Sequence, residues 1–146
     1  LLIAALFHDA DHSGGKLTDD KNVQIAKDFI KKFVSDEKIE VNLNNINELL
    51  DATQYPYVIE ADDLDHFQLI IRDSDLMQIY EPNWLCQNVL GLSTELNVPF
   101  DKLVEGQEGF LKAVVFHTEF GKKLYNDRWD GVLDKVKLLK EVVKVK

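Results

Sequence analysis

Apolar positions crowd the start of the chain. Leu1 to Phe7 is an unbroken apolar run, which predicts a helix buried on all sides. Past Gly14 and Gly15, Thr18, Asp19 and Asp20 form an N-cap cluster for a helix over about 21–34. Val23, Ile25, Ala26, Phe29, Ile30 and Phe33 give that helix an apolar stripe, and Lys27, Lys31 and Lys32 are expected to face water. A polar stretch, Ser35 to Glu40, leads to a shorter helix over 43–52, capped by Asn42 and buried through Ile46, Leu49 and Leu50. Pro56 then biases Tyr55 away from helical geometry and has no N–H to donate, so 53–57 is predicted as a loop.

The longest helical pattern covers 59–80. Its first turn is acidic (Glu60, Asp62, Asp63), which suits the positive end of a helix dipole. Leu64, Phe67, Ile70, Ile71, Leu76, Met77, Ile79 and Tyr80 then cover most of the circumference, as expected of a central, buried helix. Pro82 ends it and opens a helix over 83–96 with Trp84, Leu85, Val89 and Leu92 inward. Pro99-Phe100-Asp101 starts a further helix, expected to be interrupted near Gly106 and Gly109 and to reach Phe120. The last pattern, 128–145, places Val132, Leu133, Val136, Leu139, Val142 and Val143 opposite a lysine-rich face, an amphipathic terminal helix that could also serve a homodimer. No strand alternation and no internal repeat is seen, so the predicted class is all-α, with one multi-helix domain over 1–146.

Composition narrows the function. The 146 residues are 45% hydrophobic, enough for a real core, and the net charge of −9 excludes a general nucleic-acid or anionic-membrane surface, which needs a basic stripe. A small phosphate substrate stays compatible with that charge, because a bound divalent cation and one or two basic groups reverse the field inside a pocket. The single Cys86 can form no intramolecular disulfide and marks no zinc ribbon, so the expected setting is the reducing cytoplasm. The opening apolar run is too short to span a bilayer and carries no basic lead-in. The chain starts without Met and inside a helical pattern, so an N-terminal helix is expected ahead of Leu1.

The candidate chemistry sits where that first helix stops, in His8-Asp9-Ala10-Asp11-His12. Ionisable groups are costly to bury without partners, and His12 is expected one turn beyond His8 on the same face, with Gly14 and Gly15 as the helix stop. A cluster at a helix C-terminus, where the dipole favours cations, points to a metal. Imidazole nitrogen and carboxylate oxygen must then converge from different helices. The further donor is expected from Asp73 or Asp75, between which periodicity does not choose. Lys16 and Arg72 lie close in sequence to these residues and are candidate phosphate contacts. His66 and His117 stand alone among apolar residues and read as core or boundary histidines, Asp62, Asp63 and Asp65 as a solvated helix start, and Trp84 and Trp129 as core.

Phe7-His8-Asp9-Ala10-Asp11-His12 resembles the motif of the HD-domain metal-dependent phosphohydrolases, and its His-Asp-x-Asp-His form is similar to the cyclic-nucleotide phosphodiesterase branch. The resemblance implies an HD-like helical bundle whose metal, a divalent Mn, Fe, Zn, Ni or Co, or Mg, is held by the His8-Asp9 pair and a distant Asp. In that family the distant Asp follows a small residue and precedes an aliphatic pair, as in Ser74-Asp75-Leu76-Met77, so the resemblance selects Asp75 and leaves Asp73 in support. It makes Asp9 and His12 the catalytic pair, with His12 handling the proton, and it matches Asn22 to an Asn at the start of the next helix, a substrate contact. The implied substrate is a nucleotide or another small phosphate ester. The family's first metal His has no counterpart in this sequence: it lies upstream of Leu1, or the site has lost a ligand and the domain is a non-catalytic sensing or interaction module. A di-iron oxygenase on this scaffold needs more histidines than His66 and His117 supply.

Overall fold

A computed structural model describes residues 1–84 and 88–144. Helix is the only regular structure among the described residues. They form two units, Leu1–Asp75 and the part from Leu76 onward, each with its own apolar core.

The first unit is built from α1 (Leu2–Phe7), α2 (Asp19–Asp36), α3 (Leu43–Thr53) and α4 (His66–Leu76), which runs to the unit's end. α1 packs on α2 and α3, and α2 on α3. Ala4, Ala26, Ile30, Leu50 and Ile71 form the centre of the core, with Phe7 set against the rings of Phe29 and Phe33 at centroid distances of 5.5 and 4.9 Å. α2 starts two residues early: Thr18 takes the N-cap position without a side-chain capping bond and Asp19 and Asp20 fall in the first turn, while the Asn42 side chain accepts hydrogen bonds from the Asn44 and Asn45 amides to start α3.

Three sequence expectations change here. α1 is not buried on all sides: Ala4 is fully buried, whereas Leu2 and Leu6 are 72% and 66% exposed. Lys27 does not simply face water, because its ammonium is paired with Asp51 on α3. The pattern over 59–80 is not one helix. Ala61–Asp63 makes a single 3-10 turn and Leu64 is extended (φ −93°, ψ 142°). The true start is Asp65, whose carboxylate accepts from the Gln68 amide while the Gln68 side chain accepts from the Asp65 amide, each at 2.8 Å. That reciprocal cap satisfies two helix-end donors at once and outranks the acidic pair before it. His66, the first residue of α4, is exposed, and so is Phe67 at 59%.

The second unit opens with the 3-10 turn Met77–Tyr80, ended by Glu81, which is extended (φ −66°, ψ 141°) as a residue before proline tends to be. α5 (Leu90–Glu95), α6 (Phe100–Ala113) and α7 (Glu119–Lys144) follow, and α6 against α7 is its main helix pair. Trp84, Val89, Val104, Leu111, Val132 and Val136 are buried, and Trp129 packs against them. Leu92 is 39% exposed rather than inward, Val142 is 60% exposed, and Leu85 and Val145 lie outside the described residues. Gly106 and Gly109 do not interrupt α6, since burial of Val104, Gln107 and Leu111 on its inner side holds it through both glycines. The break falls later, at extended Val114, and α7 starts well before 128. There the Thr118 hydroxyl accepts from the Gly121 amide at 3.0 Å, an N-cap just ahead of Glu119.

Candidate metal centre

α1 ends at His8, which still has right-handed helical angles (φ −57°, ψ −33°). A turn follows, in which the Ala10 amide donates to Phe7 and the His12 amide to Asp9. Asp11 then takes a left-handed conformation (φ 60°), which turns the chain away from the helix axis. The helix therefore stops before Gly14 and Gly15, whose own positive φ angles (66° and 72°) serve the loop leading to α2. In consequence His12 is not one helical turn beyond His8 on a common face.

The local geometry gives the two His8 ring nitrogens different partners. Its Nδ1 lies 3.0 Å from the Ala5 carbonyl, which can only accept, so Nδ1 carries the hydrogen and Nε2 is turned to the cluster. Nε2 lies 3.3 Å from Asp75 Oδ1 and 3.4 Å from Asp9 Oδ2. Asp75 is contributed by the last turn of α4, 67 residues along the chain. One ligand atom from each of His8, Asp9 and Asp75 lies within 4.8 Å of the others. The hydrogen bond to Asp75 raises His8 to about 9, against burial, with the Asp9 and Asp75 charges adding to the rise. Asp9 is itself raised, first by loss of water around its inner side, with His8 opposing and Asp75 adding.

This donor set fits a divalent metal. It offers one imidazole nitrogen oriented by a backbone carbonyl, as metal-bound histidines usually are, and two carboxylates that gather negative charge around it. The Asp9 side chain is 70% exposed, so the cluster stays open to solvent on that side.

The other predicted residues fall into different places. Asp73 is fully buried and is not in the cluster, although its charge acts on Arg72 and Tyr57. Arg72, 2% exposed, gives Nε to the Ala52 carbonyl at 2.8 Å and Nη2 to the Ile59 carbonyl at 3.1 Å, and stacks 3.9 Å from the Tyr57 ring centre. Its guanidinium holds the 52–59 segment on α4. Asn22 is buried on α2; its Oδ1 accepts from the Ser13 amide at 3.2 Å and its Nδ2 meets His12 Nε2 at 2.9 Å. His12 Nδ1 lies 3.3 Å from the Gly14 amide. Asn22 thus ties down the loop and His12. Lys16 is exposed on that loop. His117 is half-buried in the second unit.

Sequence reasoning missed the Tyr55 and Tyr57 pair. It treated Tyr55-Pro56-Tyr57 only as a break, whereas the structure packs Tyr57 on Arg72 and holds the Tyr55 amide to Asp19 Oδ2 at 2.6 Å. The available signal was two aromatic residues in a loop with no apolar periodicity to bury them.

The chain matches no protein-family model, no curated protein and no solved structure. No described helix is long and apolar enough to cross a membrane.

Proposed function

We propose that this protein is a metal-dependent phosphohydrolase, HD-like in its site, acting on a nucleotide or another small phosphate ester in the cytoplasm. The observation that carries the reading is the convergence of His8, Asp9 and Asp75, two neighbours and a residue 67 positions from His8, on one point. A divalent Mn, Fe, Zn, Ni, Co or Mg held there would supply polarisation of a phosphoryl oxygen and a more acidic water.

The chain's own residues provide the rest. The Ala5 carbonyl fixes the His8 ring so that Nε2 faces the cluster, and His8 must give up its Nε2 proton before a cation binds. Exposed Asp9 stands on the open side, where an incoming phosphate ester has access. Lys16, exposed on the loop after the motif, is the cation offered to a phosphate, a role that Arg72 does not fill because it is buried, with Nε and Nη2 bonded to carbonyls. His12 serves as proton carrier once its contact with Asn22 opens. The net charge of −9 keeps extended nucleic acid from the partner set.

A non-catalytic sensing or interaction domain is the second reading, favoured by His12, whose ring is engaged by the Gly14 amide of its own loop and the Asn22 side chain of α2. Elemental analysis of the purified protein, with His8→Ala, Asp9→Ala and Asp75→Ala variants checked for helicity, tests the metal. Bound transition metal in the wild type, its loss in the variants and metal-dependent release of phosphate from nucleotides support the phosphohydrolase. Metal without hydrolysis, or no metal even after reconstitution, overturns the phosphohydrolase and supports the non-catalytic domain.

A further inference from the structure

We propose that Tyr55 and Tyr57 form a stacking platform for the planar base of a nucleotide whose phosphate lies at the His8, Asp9 and Asp75 cluster. This rests on the phosphohydrolase reading and adds the substrate class. Two independent tethers place the pair beside the cluster. Arg72 and Asp75 are three residues apart on α4, so their side chains leave the same face of the helix. Tyr57 lies on the Arg72 guanidinium, which in turn is fixed by the Ala52 and Ile59 carbonyls. From the other side, the Tyr55 amide is held by Asp19, in the first turn of α2, at 2.6 Å. Electrostatics agree with the placement: Asp19 acts on Asp9, and Asp75 acts on Tyr57, whose hydroxyl is pushed up to about 12 chiefly by burial.

The two rings differ in role. Tyr57 is half-buried, with one face taken by Arg72. Tyr55 meets Tyr57 edge-on, at 5.6 Å between centroids and 83° between planes, and is 57% exposed. A perpendicular neighbour can cover at most one face of the Tyr55 ring, and an exposed aromatic ring held at its own backbone is a low-entropy surface for a second ring. The hydrogen bond from the Tyr55 amide and the adjacent proline limit how far that ring can swing. A base is the planar, uncharged part of a phosphate ester that such a surface selects, and the acidic surroundings (Asp9, Asp19, Asp75) disfavour a second anionic group there.

The test compares adenosine 5′-monophosphate with ribose 5-phosphate, which carries the same phosphate and sugar without the base, on the Mn-loaded protein. In the wild type the nucleotide should have the lower KM. Tyr55→Ala should raise the nucleotide KM by about tenfold, leave that of ribose 5-phosphate within about twofold, and leave kcat for both near its wild-type value. Tyr55→Trp should restore discrimination, which a merely structural role for Tyr55 would not predict. Equal KM values for the two esters in the wild type, or equal losses in Tyr55→Ala, would overturn the platform while leaving the phosphohydrolase standing. Should neither ester be hydrolysed, that reading fails instead. The platform is then decided by isothermal titration of adenosine 5′-monophosphate: weaker binding to Tyr55→Ala than to wild type sustains it, and unchanged or undetected binding removes it.

Discussion

His8 and Arg72 are both nitrogen bases enclosed by the first unit, yet they do opposite things. His8 keeps one nitrogen for the cluster, and Arg72 gives two of its donors to backbone carbonyls. In the metal-free protein the folded state binds the His8 proton up to about 9, against an ordinary 6.5, chiefly through Asp75. Folding therefore gains from this group fully below 6.5 and loses the gain as pH rises through 9. Allowing for water at the Asp partners, the gain is on the order of 2 kcal/mol. Urea unfolding of the metal-stripped wild type should show a midpoint that falls over this interval, and Asp75→Asn should flatten the fall. Parallel pH profiles for the two proteins would disprove the pairing. For Arg72, replacement by Met leaves the Ala52 and Ile59 carbonyls without their donors and should cost about 3 kcal/mol in thermal unfolding. Arg72→Lys should recover only part, because an ammonium cannot fork to two carbonyls and lie flat on Tyr57. A Met variant as stable as the wild type would show that the clamp contributes nothing.

At the scale of elements, α6 carries a reserve of stability. Neither Gly106 nor Gly109 would meet any atom within 4 Å through an added Cβ. Changing either to Ala should stabilise the protein by about 0.5–1 kcal/mol, read as a higher melting temperature. α4 behaves in the other direction: Asp65→Ala removes half of its reciprocal cap and should cost about 1 kcal/mol. These helices also show what the sequence reveals and what it hides. The cap positions Thr18 and Asn42 were readable, although only the Asn42 side chain accepts cap hydrogen bonds, and the starts of α2 and α3 lie within two residues of their expected places. Asp65 was hidden behind Glu60, Asp62 and Asp63, since four acids in one stretch look alike until Gln68 chooses among them. The Phe7 to His12 motif pointed to His8 and Asp9, which the structure brings together with Asp75, but the left-handed turn at Asp11 cannot be read from an Asp and removed His12 from the expected face. Periodicity gave Asp73 and Asp75 equal standing. Only packing sends one into the core and the other to His8.

For the molecule as a whole, the acceptors and the charge pull the same way. A net charge of −9 repels polyanions and concentrates divalent cations near the surface. On the proposed reading, a bound metal stabilises only the folded chain, by about 2.7 kcal/mol at a free concentration a hundred times its Kd. Calorimetry should then give a melting temperature that climbs with added Mn and drops with chelator, while His8→Ala melts alike in both. A wild-type transition indifferent to Mn would count against the centre.

The long separation between His8 and Asp75 has a mechanical meaning. A cation shared by the two would close a loop between residues 67 positions apart, which contains α2, α3 and almost all of α4. It would act as a reversible clasp, comparable in chain-entropy terms to a cross-link worth about 4 kcal/mol. Such a clasp can fasten only after both ends of the first unit have reached their places, so occupancy of the centre would also report that this unit has finished folding.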